Sequence, residues 1–367
     1  MADSGAQVLV LGGVGFIGRN LVHYIVSNGL AKKVRVVDKI LPVMGYLNKE
    51  HQESFSKVEF RHGNLMNSDS VDSAFQTEDG SFDFVINCAA ETKHGLEDIV
   101  YEEGVTLLST TCAQVAAKHG VKRYIELSSG QMASTNKKPM KESDDCDPWT
   151  KIAKHKLRVE EKLTTIPNLD YICVRPAIVY GKGDRTGLTP RLVIGAVYKF
   201  LGEKMKLLWG KDLKMNTVHV DDLCRAIWHL LSHGKTGEVY NIVDKGDTTQ
   251  GLISELVSQI FGIKYDFVGN TLMNLVKPED FSEVIEEIND KHMSPWGQAC
   301  QKEGIVNTPL NPYMDQELLL NKNTYLDGLK IEATGFVFEK PKVNFALLKE
   351  VLDDFISMGI FPSSFSR

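Results

Sequence analysis

The 367-residue sequence has no CxxC pair and no cysteine flanked by histidine at metal-site spacing; its six cysteines stand at 88, 112, 146, 173, 224 and 300. Thiolate metal sites and disulfide frameworks need such spacings, so neither is expected, and no metal is assigned. Several of these cysteines fall inside strand or helix patterns, as core thiols do. A reducing, cytoplasmic compartment is the expectation. There is no basic run to offset a formal net charge of -6, which argues against binding a nucleic-acid backbone. No apolar stretch approaches the roughly 20 residues that cross a bilayer. The start, MADSGAQ, lacks the charged and apolar regions of a secretory signal. Repeats and low-complexity linkers are missing as well. What remains is a chain with 25% charged and 43% apolar residues, ordinary for a globular protein, with neither nucleic acid nor membrane expected as a partner.

Its organisation alternates short apolar runs with longer amphipathic ones. VLVLG (8–12) reads as a buried strand, and GFIGRNLVHYIVSNG as a helix ending at Gly29. VRVVD (34–38), VEFRHGN (58–64), FDFVIN (82–87), RYIELSS (123–129) and YICVRPA (171–177) follow as strands. Connections of this length favour helical crossovers and a parallel sheet. Runs that are apolar throughout suit strands covered on both faces. The fold class is therefore α/β, a doubly wound parallel sheet. Beyond residue 180 the order loosens into a smaller lobe. A segment at about 265–315, with acidic helical stretches and Pro295, Trp296, Pro309 and Pro312, predicts an insertion or lid over a cleft.

The phosphate loop is the firmest site. In LGGVGFIG, Gly12 permits a tight turn, Gly15 a close approach to pyrophosphate, and Gly18 close helix packing. The following helix N-terminus offers N–H groups to an anion. Asp38 ends the second strand, where a carboxylate bonds a ribose 2′-hydroxyl and repels a 2′-phosphate. NAD rather than NADP follows, although Lys39 stands beside that carboxylate.

Together these motifs resemble the extended short-chain dehydrogenase/reductases, the superfamily of NAD-dependent epimerases and dehydratases. Leu11 replaces the usual Thr before the GxxGxxG loop. Gly63-Asn64 stands where the family has its GD step, NCAAET (87–92) where it has HxAA, and LSSGQMAS (127–134) where a strand supplies the catalytic Ser or Thr. VRPAIVYGKGD (174–184) matches RPxxVYGPGD, and VHVDDLCRAI (218–227) matches VxDxxxA. The resemblance implies a Rossmann-type dinucleotide-binding domain over 1–180 and an interleaved substrate lobe over 181–367. It implies cofactor contacts at Gly12, Gly15, Phe16, Ile17, Gly18, Asp38, Asn64, Leu65, Ala89, Ala90, Lys156, Pro176 and Ile178. Ser129 and Lys156 are the implied catalytic pair. A homodimer through helices at about 98–119 and 149–163 is a family expectation.

The departures fall at the chemistry. With Lys156 as the family lysine, the preceding tyrosine position, one helical turn earlier, is Ile152. A shifted register, Thr150 with Lys154, loses the Glu that follows the lysine by four, here Glu160. The Asn of the preceding helix is replaced by Gly104. Gly130-Gln131 replaces the acidic pair that 4,6-dehydratases carry after their Ser/Thr. Losing a general acid–base group costs about 10²–10⁴-fold in rate, so an efficient enzyme needs another proton carrier. Candidates are Lys156 itself, the loop Glu91-Thr92-Lys93-His94 and, less directly, His155 and Tyr180, which read as packing residues. Trp149 and Trp228 read as packing and Trp296 as a lid contact. Two functions stand: oxidoreduction or epimerisation at a hydroxyl or keto carbon of a nucleotide sugar or steroid-like molecule with an altered proton relay, or a dinucleotide-binding sensor or scaffold without catalysis.

Overall fold

A computed structural model describes residues 5–78, 80–277 and 280–366. Six strands lead the chain: β1 Gln7–Leu11, β2 Lys33–Asp38, β3 Glu59–His62, β4 Phe84–Asn87, β5 Arg123–Leu127 and β6 Tyr171–Pro176. They are followed by β7 Ile178–Tyr180, β8 Met205–Leu207, β9 Thr217–His219, β10 Glu238–Ile242 and β11 Tyr265–Phe267. Seven of them form one sheet in the order β10-β6-β5-β4-β1-β2-β3, with every pairing parallel. The order reverses between β1 and β4, the switch point at which such sheets open a ligand crevice.

The uninterrupted apolar strands have a direct structural cause. Along β1, Val8 and Val10 enter one core while Leu9 and Leu11 enter the other, because successive side chains point to opposite faces. Helices Phe16–Ser27 and Val220–His233 cover the first face. Helices Ser68–Phe75, Leu108–Lys118 and Lys151–Leu163 cover the second. A third apolar cluster builds the other lobe from helices Thr189–Leu201, Gln250–Phe261 and Phe345–Ser357. The chain crosses between the lobes and returns, since β10 completes the first sheet.

The expected insertion contains a 22-residue helix, Phe281–Lys302, with Pro295 inside it. Trp296 on that helix is a correction to the lid-contact reading. It is 4% exposed, donates from Nε1 to the Leu310 carbonyl at 3.0 Å, and packs against Phe361. It is an anchor inside the second core. Trp228 packs as expected, edge-on to Phe84. None of the helices among the described residues is long and apolar enough to cross a membrane.

Candidate active site

The glycine loop joins β1 to the helix Phe16–Ser27. Gly12 has φ +72, and a Cβ there would come within 2.6 Å of the Ala89 backbone. A Cβ on Gly18 would meet the Gly12 carbonyl at 2.4 Å. Both positions therefore require a hydrogen side chain, and the backbone forms a cradle without projecting atoms. Asp38 is 8% exposed. It accepts from Val14 N–H at 2.9 Å through Oδ2 and from Ile40 N–H at 2.9 Å through Oδ1. It thus ties the loop after β2 to the glycine loop and keeps lone pairs for a further donor. Arg19 braces the same region, donating to the Val14, Gly45 and Tyr46 carbonyls, a role the sequence did not announce. Asn64 is exposed and Leu65 buried after β3; Ala89 and Ala90 are partly buried after β4. These residues converge on the switch point, and they fit a dinucleotide.

Burial along the helix Lys151–Leu163 separates the two lysines. Lys154 is exposed, whereas Lys156 is 4% exposed and faces the sheet. Glu160, one turn further, bonds Arg175 at 2.9 and 2.5 Å and accepts from the Ser128 hydroxyl at 2.5 Å. Ile152 is half-buried against the apolar core under the sheet. Among the described residues the hydrogen bond to Ser129 Oγ comes from Gln131 N–H at 3.1 Å, and no tyrosine reaches it. Gln131 in turn accepts from Thr150, the residue capping this helix.

Lys156 does something the sequence did not foresee. Its Nζ lies 2.9 Å from Glu126 Oε1 on β5. Glu126, fully buried, also accepts from Asn87, Ser109 and the Tyr124 hydroxyl at 2.8, 2.9 and 3.0 Å. Four donors saturate one carboxylate. His155 is fully buried, bonding Thr106 and Asp98, and so is a packing residue. Tyr180 likewise packs edge-on to His219, and burial pushes its phenol up. Gly104 lies in a π-helical stretch, Glu102–Leu107, and its carbonyl accepts from Glu91 N–H at 2.9 Å.

That contact seats the loop 91–94, and the loop carries the most informative side chain. His94 Nδ1 is 3.1 Å from Glu317 Oε2. The other oxygen of Glu317 accepts from Lys151 N–H at 3.0 Å. The pair therefore sits at the head of the very helix where Ile152 occupies the phenol position. Burial would push the Glu317 carboxyl up, but hydrogen bonds from His94 and Lys151 outweigh it and hold the group below its ordinary value. Asp315 joins them, so that ligand atoms of His94, Asp315 and Glu317 all lie within 4.8 Å of one another.

A cavity of about 310 Å³ adjoins Ser129 and His94. Its wall includes Phe16 and Ile17 of the first helix, Ser129, Pro176 and Ile178, His94, and the insertion residues Asn289 and His292. Trp149 also lines it, correcting the packing assignment, and Trp209 is a wall residue that the sequence did not single out.

A profile of the NAD dependent epimerase/dehydratase family matches residues 8–243. The UDP-glucose 4-epimerase of Halalkalibacterium halodurans is 26% identical over 280 residues, covering 70% of this chain and 80% of its own. The decarboxylating sterol-4-alpha-carboxylate 3-dehydrogenase of Candida albicans is 27% identical, over 56% of this chain and 61% of its own. The crystal structure of the Thermus thermophilus UDP-glucose 4-epimerase, in complex with NAD, superposes with a TM-score of 0.67 at 19% identity, covering 95% of this chain and 99% of its own.

Proposed function

Because this chain belongs to the NAD dependent epimerase/dehydratase family, we propose that it binds NAD and performs oxidoreduction or epimerisation at a hydroxyl or keto carbon of a small molecule, with His94 and Glu317 moving the proton. The observation that carries this reading is the bond from Lys151 N–H to Glu317, whose other oxygen holds His94. It sets an imidazole–carboxylate pair beside the position that Ile152 leaves without a proton.

The chemistry divides among named groups. Bound NAD supplies the hydride acceptor. Ser129 Oγ donates to or accepts from the substrate oxygen and fixes its orientation. His94, with Nδ1 held by Glu317, presents Nε2 as the general base that takes the hydroxyl proton and returns it in the reverse direction. Glu317 orients the ring through its bond to Nδ1. The apolar cavity wall excludes water from these groups. The relatives' names place nucleotide sugars and sterol carboxylates among the candidate substrates. NAD over NADP rests on Asp38.

A sensor or scaffold is the second reading. It is favoured by the loss of the tyrosine and Asn positions, at Ile152 and Gly104, while Lys156 gives one of its three N–H donors to Glu126. The test begins with NAD and NADH affinity. Nucleotide sugars and hydroxysteroids are then screened by absorbance at the nicotinamide band and by product analysis, since an epimerase leaves no net NADH. Turnover that falls in His94→Gln supports the enzyme. Tight NAD binding with no product from any of them, in wild type and in Ile152→Tyr alike, leaves the sensor.

A further inference from the structure

The cavity that holds Ser129 and His94 has an unusual charge distribution for this protein. The chain as a whole is acidic, with 48 Asp and Glu against 42 Lys and Arg. Yet no Asp or Glu lines the cavity among the described residues, while Arg191, Lys206 and Lys322 do. The two lysines are exposed at the surface end. Arg191 is not. It stands in the first turn of the helix Thr189–Leu201, and its side chain has no hydrogen bond or ion pair among the described residues.

Arg191 is half-buried, and a guanidinium drawn partly out of water is usually paired, because a charge without a partner there is costly. Burial alone pulls Arg191 down to about 10, with no charged neighbour adding to or opposing it. The nearest carboxylate in sequence, Asp184, is fully committed. It accepts from the backbone N–H of Thr186, Gly187, Leu188 and Thr189 and from the Thr189 hydroxyl, building the turn from which the helix starts. Much of the rest of the polar wall is engaged, although Trp149 Nε1 and His292 Nδ1 have no hydrogen-bond partner among the described residues. Gln250 donates to the Leu208 and Gly210 carbonyls, and Asn289 bonds both the N–H and the carbonyl of Met314. His292 is held neutral by burial, its pKa lowered to about 4. What is left is a largely aliphatic and aromatic wall in which Arg191 is the cation set back from the surface end and without a partner among the described residues.

We infer that this cavity takes a small, mostly apolar molecule bearing a single acidic group, which Arg191 binds while the reacting carbon lies toward Ser129. This rests on the reading of the cavity as the substrate site. A nucleotide diphosphate fits the same wall poorly. Its base and ribose present donors and acceptors that the largely apolar wall would leave unsatisfied. A neutral sterol or alcohol leaves Arg191 unpaired. A planar guanidinium grips a carboxylate, sulfate or phosphate monoester through two parallel hydrogen bonds, and that geometry, absent from an ammonium, is what the site offers.

The test titrates decanoate and 1-decanol into the full-length protein at saturating NAD, by calorimetry, with UDP as the competing probe. Decanoate is expected to bind about tenfold or more tighter than the alcohol. Arg191→Met should abolish that preference and leave decanol and NAD affinity unchanged. It should not lower the melting temperature of the substrate-free protein, because the half-buried guanidinium has no partner among the described residues to lose; a merely structural arginine would lower it. Arg191→Lys should keep part of the preference. Equal binding of acid and alcohol, an Arg191→Met variant that still prefers decanoate, or UDP bound more tightly than decanoate through Arg191 would each overturn the assignment. Loss of NAD binding in the wild type would instead sink the oxidoreductase reading, with the Arg191 comparison still legible in the absence of cofactor.

Discussion

Lys156 Nζ stands 2.9 Å from Glu126 Oε1, and their side chains are 5% and 0% exposed. One is on a helix and the other on β5, so the pair bolts the helix Lys151–Leu163 onto the centre of the sheet. An ion pair this deep stabilises little in net terms, since both ions lost their water. Removing one partner is a different matter, because the other is stranded.

Glu126→Gln should therefore destabilise the protein by about 3–5 kcal/mol. Adding Lys156→Met to that variant should recover a substantial part, as the second uncompensated group is gone. Urea unfolding of the two single variants and the double closes the cycle. Strict additivity of the two losses would show that the groups do not interact in solution.

The proton relay is tested at two atoms. His94→Gln should lower turnover by about 10²–10⁴-fold with little change in NAD affinity. Glu317→Gln should lower it less, since the ring loses the carboxylate that orients it. Chelators separate the relay from the other use of His94, Asp315 and Glu317. Undiminished activity after dialysis against EDTA is expected. Loss of activity restored by a divalent cation would replace the proton carrier with a metal ion.

How much of this the sequence revealed depended on distance along the chain. The glycine loop, Asp38 and Ser129 sit at strand ends, and local periodicity places strand ends well. The choice of Lys156 over Lys154 followed from the spacing to Glu160, and burial agrees with it. The His94–Glu317 bond joins residues 223 positions apart, across an insertion whose path no periodicity encodes. Glu126 did leave a trace: a carboxylate inside the buried run RYIELSS calls for a partner, and only the structure shows that the partner is Lys156. Trp149 and Trp296 were exchanged in role because an indole fills a core and a cavity wall equally well.

Asp38 offers a prediction in which two effects must be told apart. Asp38→Ala should relax the preference for NAD over NADP by about tenfold or more, as repulsion of the 2′-phosphate disappears. It should also cost about 1–3 kcal/mol of stability, because the N–H groups of Val14 and Ile40 lose their acceptor. Asp38→Asn keeps an acceptor oxygen and removes the charge. Its single amide oxygen can accept from only one of the two N–H groups while its NH2 faces the other, so it should recover at most part of the stability and none of the NAD preference. An unchanged cofactor preference in both variants would refute the role of this carboxylate.

His292 gives the last prediction, with its sign fixed by burial. The ring is 3% exposed, its Nε2 is 3.4 Å from the Tyr198 hydroxyl, and burial lowers its pKa from 6.5 to about 4, with Lys291 adding to the effect. The unfolded chain thus takes up a proton on this residue near pH 6.5 while the folded chain still refuses it. Stability from this group is complete above pH 6.5 and is lost as pH falls toward 4. Between pH 7 and pH 5 the loss is about 2 kcal/mol, from the free energy of one pKa unit. His219, lowered to about 4 by burial, adds a parallel loss. Replacing His292 with Gln, which cannot titrate, should flatten the decline of unfolding free energy between pH 7 and pH 5 by about that amount, whatever it costs at pH 7. An identical slope in wild type and variant would mean that the imidazole takes up its proton at its ordinary pH, and hence that the helix Phe281–Lys302 does not close over the cavity in solution.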